Sequence, residues 1–306
     1  MKKIQIGKSD IQASEIALGC MRIKALSQSD AEKLVLNSFD MGINFFDHAD
    51  IYGGGECESI FGNILENNKG FRDKIYIQTK CGIVNGTFNF TYDHIVTSVE
   101  KSLKRLKTDY VDVLLLHRPD TLFVPEEVGK AFDKLFKDGK VKNFGVSNQN
   151  MMQMELLQSG LNVPIIADQL QFSVTHTGMI DNGFNVNMKV DNGIDRDGSV
   201  LEYCRLKKIT IQAWSPMQYG FFKGAFIDES EKYTDLNNTL QKYADKYNAS
   251  KEAISIAWIL AHPAKIQPII GTTKLERVEK IVKASDINLL HDEWYDIYKS
   301  AGNRLP

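Results

Sequence analysis

Short runs of β-branched, aromatic and leucine residues punctuate this chain, and the stretches between them carry apolar residues at helical spacing. The runs are EIALG (15–19), INFFD (43–47), KIYIQTK (74–80), VDVLLLH (111–117), VKNFGVS (141–147), IIADQLQ (165–171), ITIQAW (209–214) and IQPIIG (266–271). Strands alternating with helices spell βαβ units and a parallel sheet. Eight in succession predict an α/β fold closed into a (β/α)8 TIM barrel rather than an open sheet. No repeat, linker or low-complexity tract interrupts residues 1–306, so one barrel domain is expected.

The residues before 13, KKIQIGKSDIQ, read as a small β-hairpin around Gly7-Lys8-Ser9-Asp10, placed to cap the bottom of the barrel. Ser29 followed by Glu32 is a capping-box pattern for the first helix, and Gly42 closes that helix. Pro125 opens a helix that runs to Gly139, and Ser250 precedes the helical spacing of KEAISIAWILA. The Asn-, Asp- and Gly-rich stretch 175–198 breaks the pattern. It is expected as a long loop, of the kind that serves barrels as a functional lid.

Composition narrows the class. With 43% hydrophobic and 25% charged residues the chain has the makings of a folded core. A net charge of −2 offers no electrostatic attraction for nucleic acid or an anionic membrane. MKKIQIGKSD has no apolar run behind its lysines, so it is not a signal peptide. No apolar stretch reaches the roughly 20 residues of a membrane span. Cys20, Cys57, Cys81 and Cys204 are scattered without a CxxC pair, which suits reduced thiols in the cytoplasm and no structural zinc.

Three runs end in ionisable residues: Asp47, Lys80 and His117, with Tyr52 just beyond the first. Polar groups at the loop-side ends of strands are where such a barrel builds its active site. Each residue alone has an ordinary structural explanation, but Asp47 and Lys80 would be costly buried charges unless paired. Together they make a proton-transfer device. A phenol is a poor acid near pH 7, with an unperturbed pKa of about 10, and a neighbouring ammonium lowers it. Lys80 is placed to supply that charge and Asp47 to hold it.

The only glycine-rich stretch, Tyr52-Gly53-Gly54-Gly55-Glu56-Cys57-Glu58, is no dinucleotide fingerprint, since Glu58 stands where its third glycine would be. Its glycines let the loop fold back so that Tyr52 faces inward. The better phosphate candidate is Ile270-Gly271-Thr272-Thr273-Lys274-Leu275-Glu276-Arg277, which leaves the last strand and enters a helix. Thr273 with Glu276 also spells a capping box, while the guanidinium of Arg277 matches a phosphate's geometry.

Asp47, Tyr52, Lys80 and His117 in that order resemble the catalytic tetrad of the aldo-keto reductases, and the likeness covers the whole chain. The resemblance implies reversible reduction of an aldehyde or ketone, with Tyr52 as general acid and His117 orienting the substrate oxygen. It implies NADP(H) extended across the open face of the barrel, without a Rossmann fold. Gly145-Val146-Ser147-Asn148 matches the family's GVSN segment, so Ser147, Asn148 and Gln169 would bind the nicotinamide carboxamide. Trp214-Ser215-Pro216 matches its aromatic-Ser-Pro element, with Trp214 stacking on the nicotinamide and Met217 beside the pyrophosphate. Gly271, Thr272, Thr273 and Arg277 match the adenosine 2′-phosphate site, although many members carry a lysine where Gly271 stands. Stretch 175–198 is longer than usual for the family.

The implied partner is a small-molecule carbonyl substrate, and the expected state a monomer or weak oligomer. A rival reading is a non-catalytic NADP(H)-binding sensor or regulatory subunit, since β subunits of voltage-gated potassium channels look like this family. A metal-dependent hydrolase built on Asp47, His48 and Asp50 is opposed by strand alternation, which sends Asp47 and His48 to opposite faces.

Overall fold

Eight parallel strands close on one another in chain order: β1 (Ala17–Gly19), β2 (Phe45–Asp47), β3 (Tyr76–Cys81), β4 (Val111–Leu116), β5 (Val141–Ser147), β6 (Ile165–Gln171), β7 (Thr210–Trp214) and β8 (Gln267–Ile270). Each predicted run supplies one strand, trimmed by at most two residues at an end, and β3 runs one residue further, to Cys81. The computed structural model, which describes residues 1–219, 224–229 and 231–306, is therefore the expected (β/α)8 TIM barrel.

The period-2 alternation of strands divides the core in two. Phe46 and Ile77 point outward into the layer between barrel and helices. Phe45, Val113, Leu115, Ala167 and Ile269 point inward and meet Ile6, Ile11 and Ala13 of the hairpin. That hairpin pairs Lys3–Gln5 with Gln12–Ser14. Its turn abuts the starts of β6 and β7: the Gly7 N–H donates to Thr210 Oγ1 at 2.7 Å. A Cβ on Gly7 would lie 2.3 Å from the Ile166 carbonyl oxygen, and its φ is +54°, so only glycine fits there.

Branched apolar residues usually fill the centre of such a barrel. Here a file of glutamines runs through it. Gln78 Nε2 donates to Asp47 Oδ1 (2.6 Å) and to Gln212 Oε1 (2.9 Å). Gln212 Nε2 continues to Gln267 Oε1 (2.9 Å), and Gln267 Nε2 reaches the Ser14 carbonyl (2.8 Å) at the hairpin. Buried amides need such partners.

The helix signals hold unevenly. Pro125 does open a helix, Pro125–Lys137, and Gly139 follows it with φ +72°. Ser250 Oγ accepts from the Ala253 N–H at the head of Lys251–Leu260. Gly42 turns the chain after the first helix with φ +98°. The cap of that helix, however, is Ser27 rather than Ser29. The helix spans Gln28–Asp40, and Ser27 accepts from the Asp30 N–H at 3.1 Å. Ser27 and Asp30 carry the same spacing as Ser29 and Glu32, and the extended backbone of Ser27 decides between them.

Stretch 175–198 also departs from expectation. It contains a helix, Gly178–Phe184, with Met179 and Ile180 buried. Tyr298 donates to Asp181 Oδ1 at 2.7 Å and Phe184 packs on the Tyr298 ring, which tie the excursion to the helix His291–Ser300. A small hairpin, Ile83–Val84 with Thr87–Phe88, follows β3 and was not anticipated. The signal was present: Asn85 and Gly86, both at positive φ, make the favoured two-residue turn.

Candidate active site

Asp47 closes β2, Lys80 lies near the end of β3, and His117 follows β4, so three neighbouring strands deliver them to one mouth of the barrel. Tyr52 comes from the loop after β2. Gly53, Gly54 and Gly55 hold φ values of +60°, +70° and +93°, and this left-handed run returns the loop so that the phenol faces Lys80. The Lys80 ammonium is wholly buried. It contacts Asp47 Oδ1 (2.7 Å) and Oδ2 (2.8 Å), the His48 carbonyl (2.8 Å) and Tyr52 Oη (3.1 Å). Asp47 Oδ1 also accepts from Gln78 and, at 3.0 Å, from Gln169 Nε2. Because Lys80 donates to Tyr52 Oη, the phenolic hydrogen stays free to point elsewhere.

Charge and burial oppose each other here. Burial by itself would lower Lys80, but Asp47 and then Tyr52 outweigh it and hold the ammonium above its usual pKa. Burial raises the Tyr52 phenol; Lys80 pulls it down by less, and Asp47 pushes it up again. The phenol thus sits above 10, contrary to the expectation that Lys80 would bring it down. A low-dielectric pocket penalises the phenolate more than one already paired ammonium favours it. The His117 imidazole stands 5.9 Å from the Tyr52 ring, centroid to centroid, and nearly perpendicular to it. Burial, with Lys80 and Arg118 adding to it, lowers its pKa to about 2, so it is neutral.

Above these four lies a cleft of about 680 Å³. All eleven residues matched to the cofactor segments line it: Ser147, Asn148, Gln169, Trp214, Ser215, Pro216, Met217, Gly271, Thr272, Thr273 and Arg277. Their present bonds are largely with one another. Ser147 Oγ donates to the Gln169 carbonyl (2.9 Å) and accepts from Asn148 Nδ2 (2.7 Å), while Trp214 Nε1 donates to Asn148 Oδ1 (3.1 Å). Ser215, at φ +53°, donates to Gln218 Oε1. A Cβ on Gly271 would meet nothing within 4 Å.

The Thr273–Glu276 capping box does not form. The helix begins at Leu275, and Thr272 Oγ1 instead accepts from the Lys274 N–H. Arg277 is already engaged: Nη2 and Nη1 meet the two oxygens of Asp228 at 2.8 and 3.4 Å, and Nε lies 3.6 Å from Glu252.

The expected lid is not over this cleft. None of residues 175–198 lines it, and the segment after β7 does so instead, through Gln218, Gly224, Ala225 and Asp228. Sequence reasoning missed Arg22, Arg118, Asp228 and Lys274 on its walls. Arg118 and Lys274 stand inside motifs already singled out; Asp228 carried no signal. His48 points away from Asp47 and packs edge-on against Phe61 at 4.6 Å, as strand alternation requires.

A family model described as the Aldo/keto reductase family matches residues 15–301. The chain belongs to the aldo-keto reductase family. It is thus an oxidoreductase of a family that binds nicotinamide cofactors and acts on small-molecule carbonyl compounds. It is 37% identical to the uncharacterized oxidoreductase YcsN of Bacillus subtilis, with 97% of each chain covered. It is 36% identical to a 6-dehydroglucose reductase of Agrobacterium fabrum, again over 97% of each. Among solved structures it resembles a thermostable aldo-keto reductase, Tm1743, crystallised with the inhibitor epalrestat. The TM-score is 0.78 at 25% identity, covering 98% of this chain and 100% of the other. Among the described residues, no helix of this aldo-keto reductase is long and apolar enough to cross a membrane.

Proposed function

We propose that residues 1–306 act as one barrel domain that reduces an aldehyde or ketone with NADPH, with Tyr52 giving the proton to the carbonyl oxygen. The observation that carries this is the wholly buried Lys80 ammonium, bonded at once to Asp47 and to Tyr52 Oη on the floor of a cleft. The walls suit the cofactor: a flat indole at Trp214, open space at Gly271 and a guanidinium at Arg277. Trp214 would face the nicotinamide, Ser147, Asn148 and Gln169 its carboxamide, and Met217 the pyrophosphate. Ser215 and Pro216 shape the turn between them. When bound, the reduced cofactor supplies the hydride to the carbonyl carbon.

The rest is done by the protein. His117, neutral and beside Tyr52, donates a hydrogen bond to the carbonyl oxygen and fixes its approach. Tyr52 Oη releases its proton to that oxygen as negative charge develops there, and Lys80 stabilises the phenolate left behind. Asp47, steadied by Gln78 and Gln169, keeps Lys80 charged in a buried place. The phenol regains its proton from water through the open cleft. The direct test is a fluorescence titration with NADPH, followed by its oxidation against a carbonyl panel. The panel includes 6-dehydroglucose, named for the Agrobacterium relative. Tight binding with no turnover of any carbonyl would favour a sensor.

Two further outcomes are expected. Arg277→Ala weakens NADPH about 10–100-fold, the worth of a charge-assisted hydrogen bond or two, and weakens NADH far less. Equal weakening in fluorescence titrations would remove Arg277 from the 2′-phosphate. Second, the reduction rate constant is flat from about pH 5 to about pH 9. Reduction needs protonated Tyr52, whose pKa is raised, and His117 is lowered to about 2, so neither titrates within that window. A limb near pH 6.5 in the kcat profile would mean that His117 gains a proton in the working enzyme.

A further inference from the structure

Among the described residues, four arginines are partly buried: Arg72, Arg105, Arg118 and Arg277. Three have found a carboxylate. Arg72 meets Asp112 at 2.8 Å, Arg105 meets Glu58 at 2.7 Å, and Arg277 meets Asp228 at 2.8 Å. Arg118 is the exception: among the described residues its guanidinium has neither an ion-pair partner nor a hydrogen-bond acceptor, only the face of Trp214 with its centroid 5.6 Å away. Burial holds its pKa below the usual arginine value, with the charge of Tyr52 pulling the other way, which places the two groups within electrostatic reach. It lines the same cleft as Tyr52 and directly follows His117.

The two carboxylates that line the cleft, Asp47 and Asp228, and the sequence neighbour Asp120 are committed elsewhere. Asp120, two residues on, accepts from the Phe90 and Leu122 N–H groups, both at 2.9 Å. Asp47 is taken by Lys80, and Asp228 by Arg277. A guanidinium cannot shed its charge at working pH, and its planar fork fits two oxygens of one oxyanion. Half-buried and without a carboxylate, its fork is open to such a group from the cleft.

We infer that the substrate carries a carboxylate beside its carbonyl group, and that Arg118 binds it against the Trp214 face. This rests on the proposed carbonyl reduction and narrows its substrate class. A neutral polyhydroxy aldehyde would offer the fork only hydroxyl oxygens and gain less from it.

The test compares a carboxylate-bearing aldehyde with its uncharged ester, 4-carboxybenzaldehyde and methyl 4-formylbenzoate, with NADPH and the intact chain. The wild type should favour the acid by about 10–100-fold in kcat/KM, chiefly through KM. In Arg118→Leu that ratio should fall to about one, and Arg118→Lys, which keeps charge but not the fork, should restore part of it. Equal turnover of acid and ester by the wild type overturns the inference and leaves the reductase reading standing. So does a preference for the acid that survives in a folded Arg118→Leu protein. If neither aldehyde, nor any of the wider panel, is reduced, the reductase reading fails and this inference fails with it.

Discussion

Tyr52→Phe lowers the rate constant for carbonyl reduction by about 10²–10⁴-fold, the usual range for a lost general acid, while NADPH binds as before. The change removes one oxygen and keeps the ring, so the edge-on contact with His117 survives. Lys80 loses one of its acceptors but retains both Asp47 oxygens and the His48 carbonyl. Folding is therefore little affected, and the loss falls on proton delivery. Single-turnover measurement of cofactor oxidation separates that step from product release. Undiminished turnover would exclude Tyr52 as the acid and shift the role to a water held by His117.

Lys80→Met is expected to be costly in two ways. It leaves the Asp47 carboxylate buried without a counter-charge, and breaking a buried pair from one side costs about 3–5 kcal/mol. In a protein of this size that lowers the unfolding temperature by on the order of 10 °C. It also strips Tyr52 of the ammonium 3.1 Å from its hydroxyl, so reduction falls at least as far as in Tyr52→Phe. Adding Asp47→Asn should recover most of the stability, because an amide oxygen still serves Gln78 and Gln169, but none of the activity. The sign with pH follows from Lys80 being raised in the fold. Its contribution is complete below the unfolded value of about 10 and is lost only as pH climbs through the higher folded value. The deficit of Lys80→Met should thus be the same at about pH 6 and pH 9. A single variant as stable as the wild type would mean that water reaches Asp47.

Where the sequence misled, local patterns were ambiguous and longer-range packing chose between them. Ser27 and Ser29 both preceded an acidic residue at capping distance, and the entry angle of the chain selected the first. Thr273 and Glu276 spelled a box that the helix, starting at Leu275, passes over. The polar stretch 175–198 looked loose because Met179, Ile180 and Phe184 are few. They suffice once the C-terminal helix offers Tyr295 and Tyr298 to pack on. The direction of the Tyr52 shift was out of reach for a similar reason, since desolvation depends on every atom around a group.

By itself the sequence determined the eight-strand barrel, its hairpin, the four residues gathered at one mouth and the segments along the cleft. These follow from short-range periodicity and from the rule that strand ends carry the chemistry. Only the tertiary structure decided where the arginines lie: Arg277 with Asp228 and, among the described residues, Arg118 with no carboxylate. Pairing between residues tens or hundreds of positions apart is set by side-chain reach across a closed sheet, and a linear pattern holds no record of that distance.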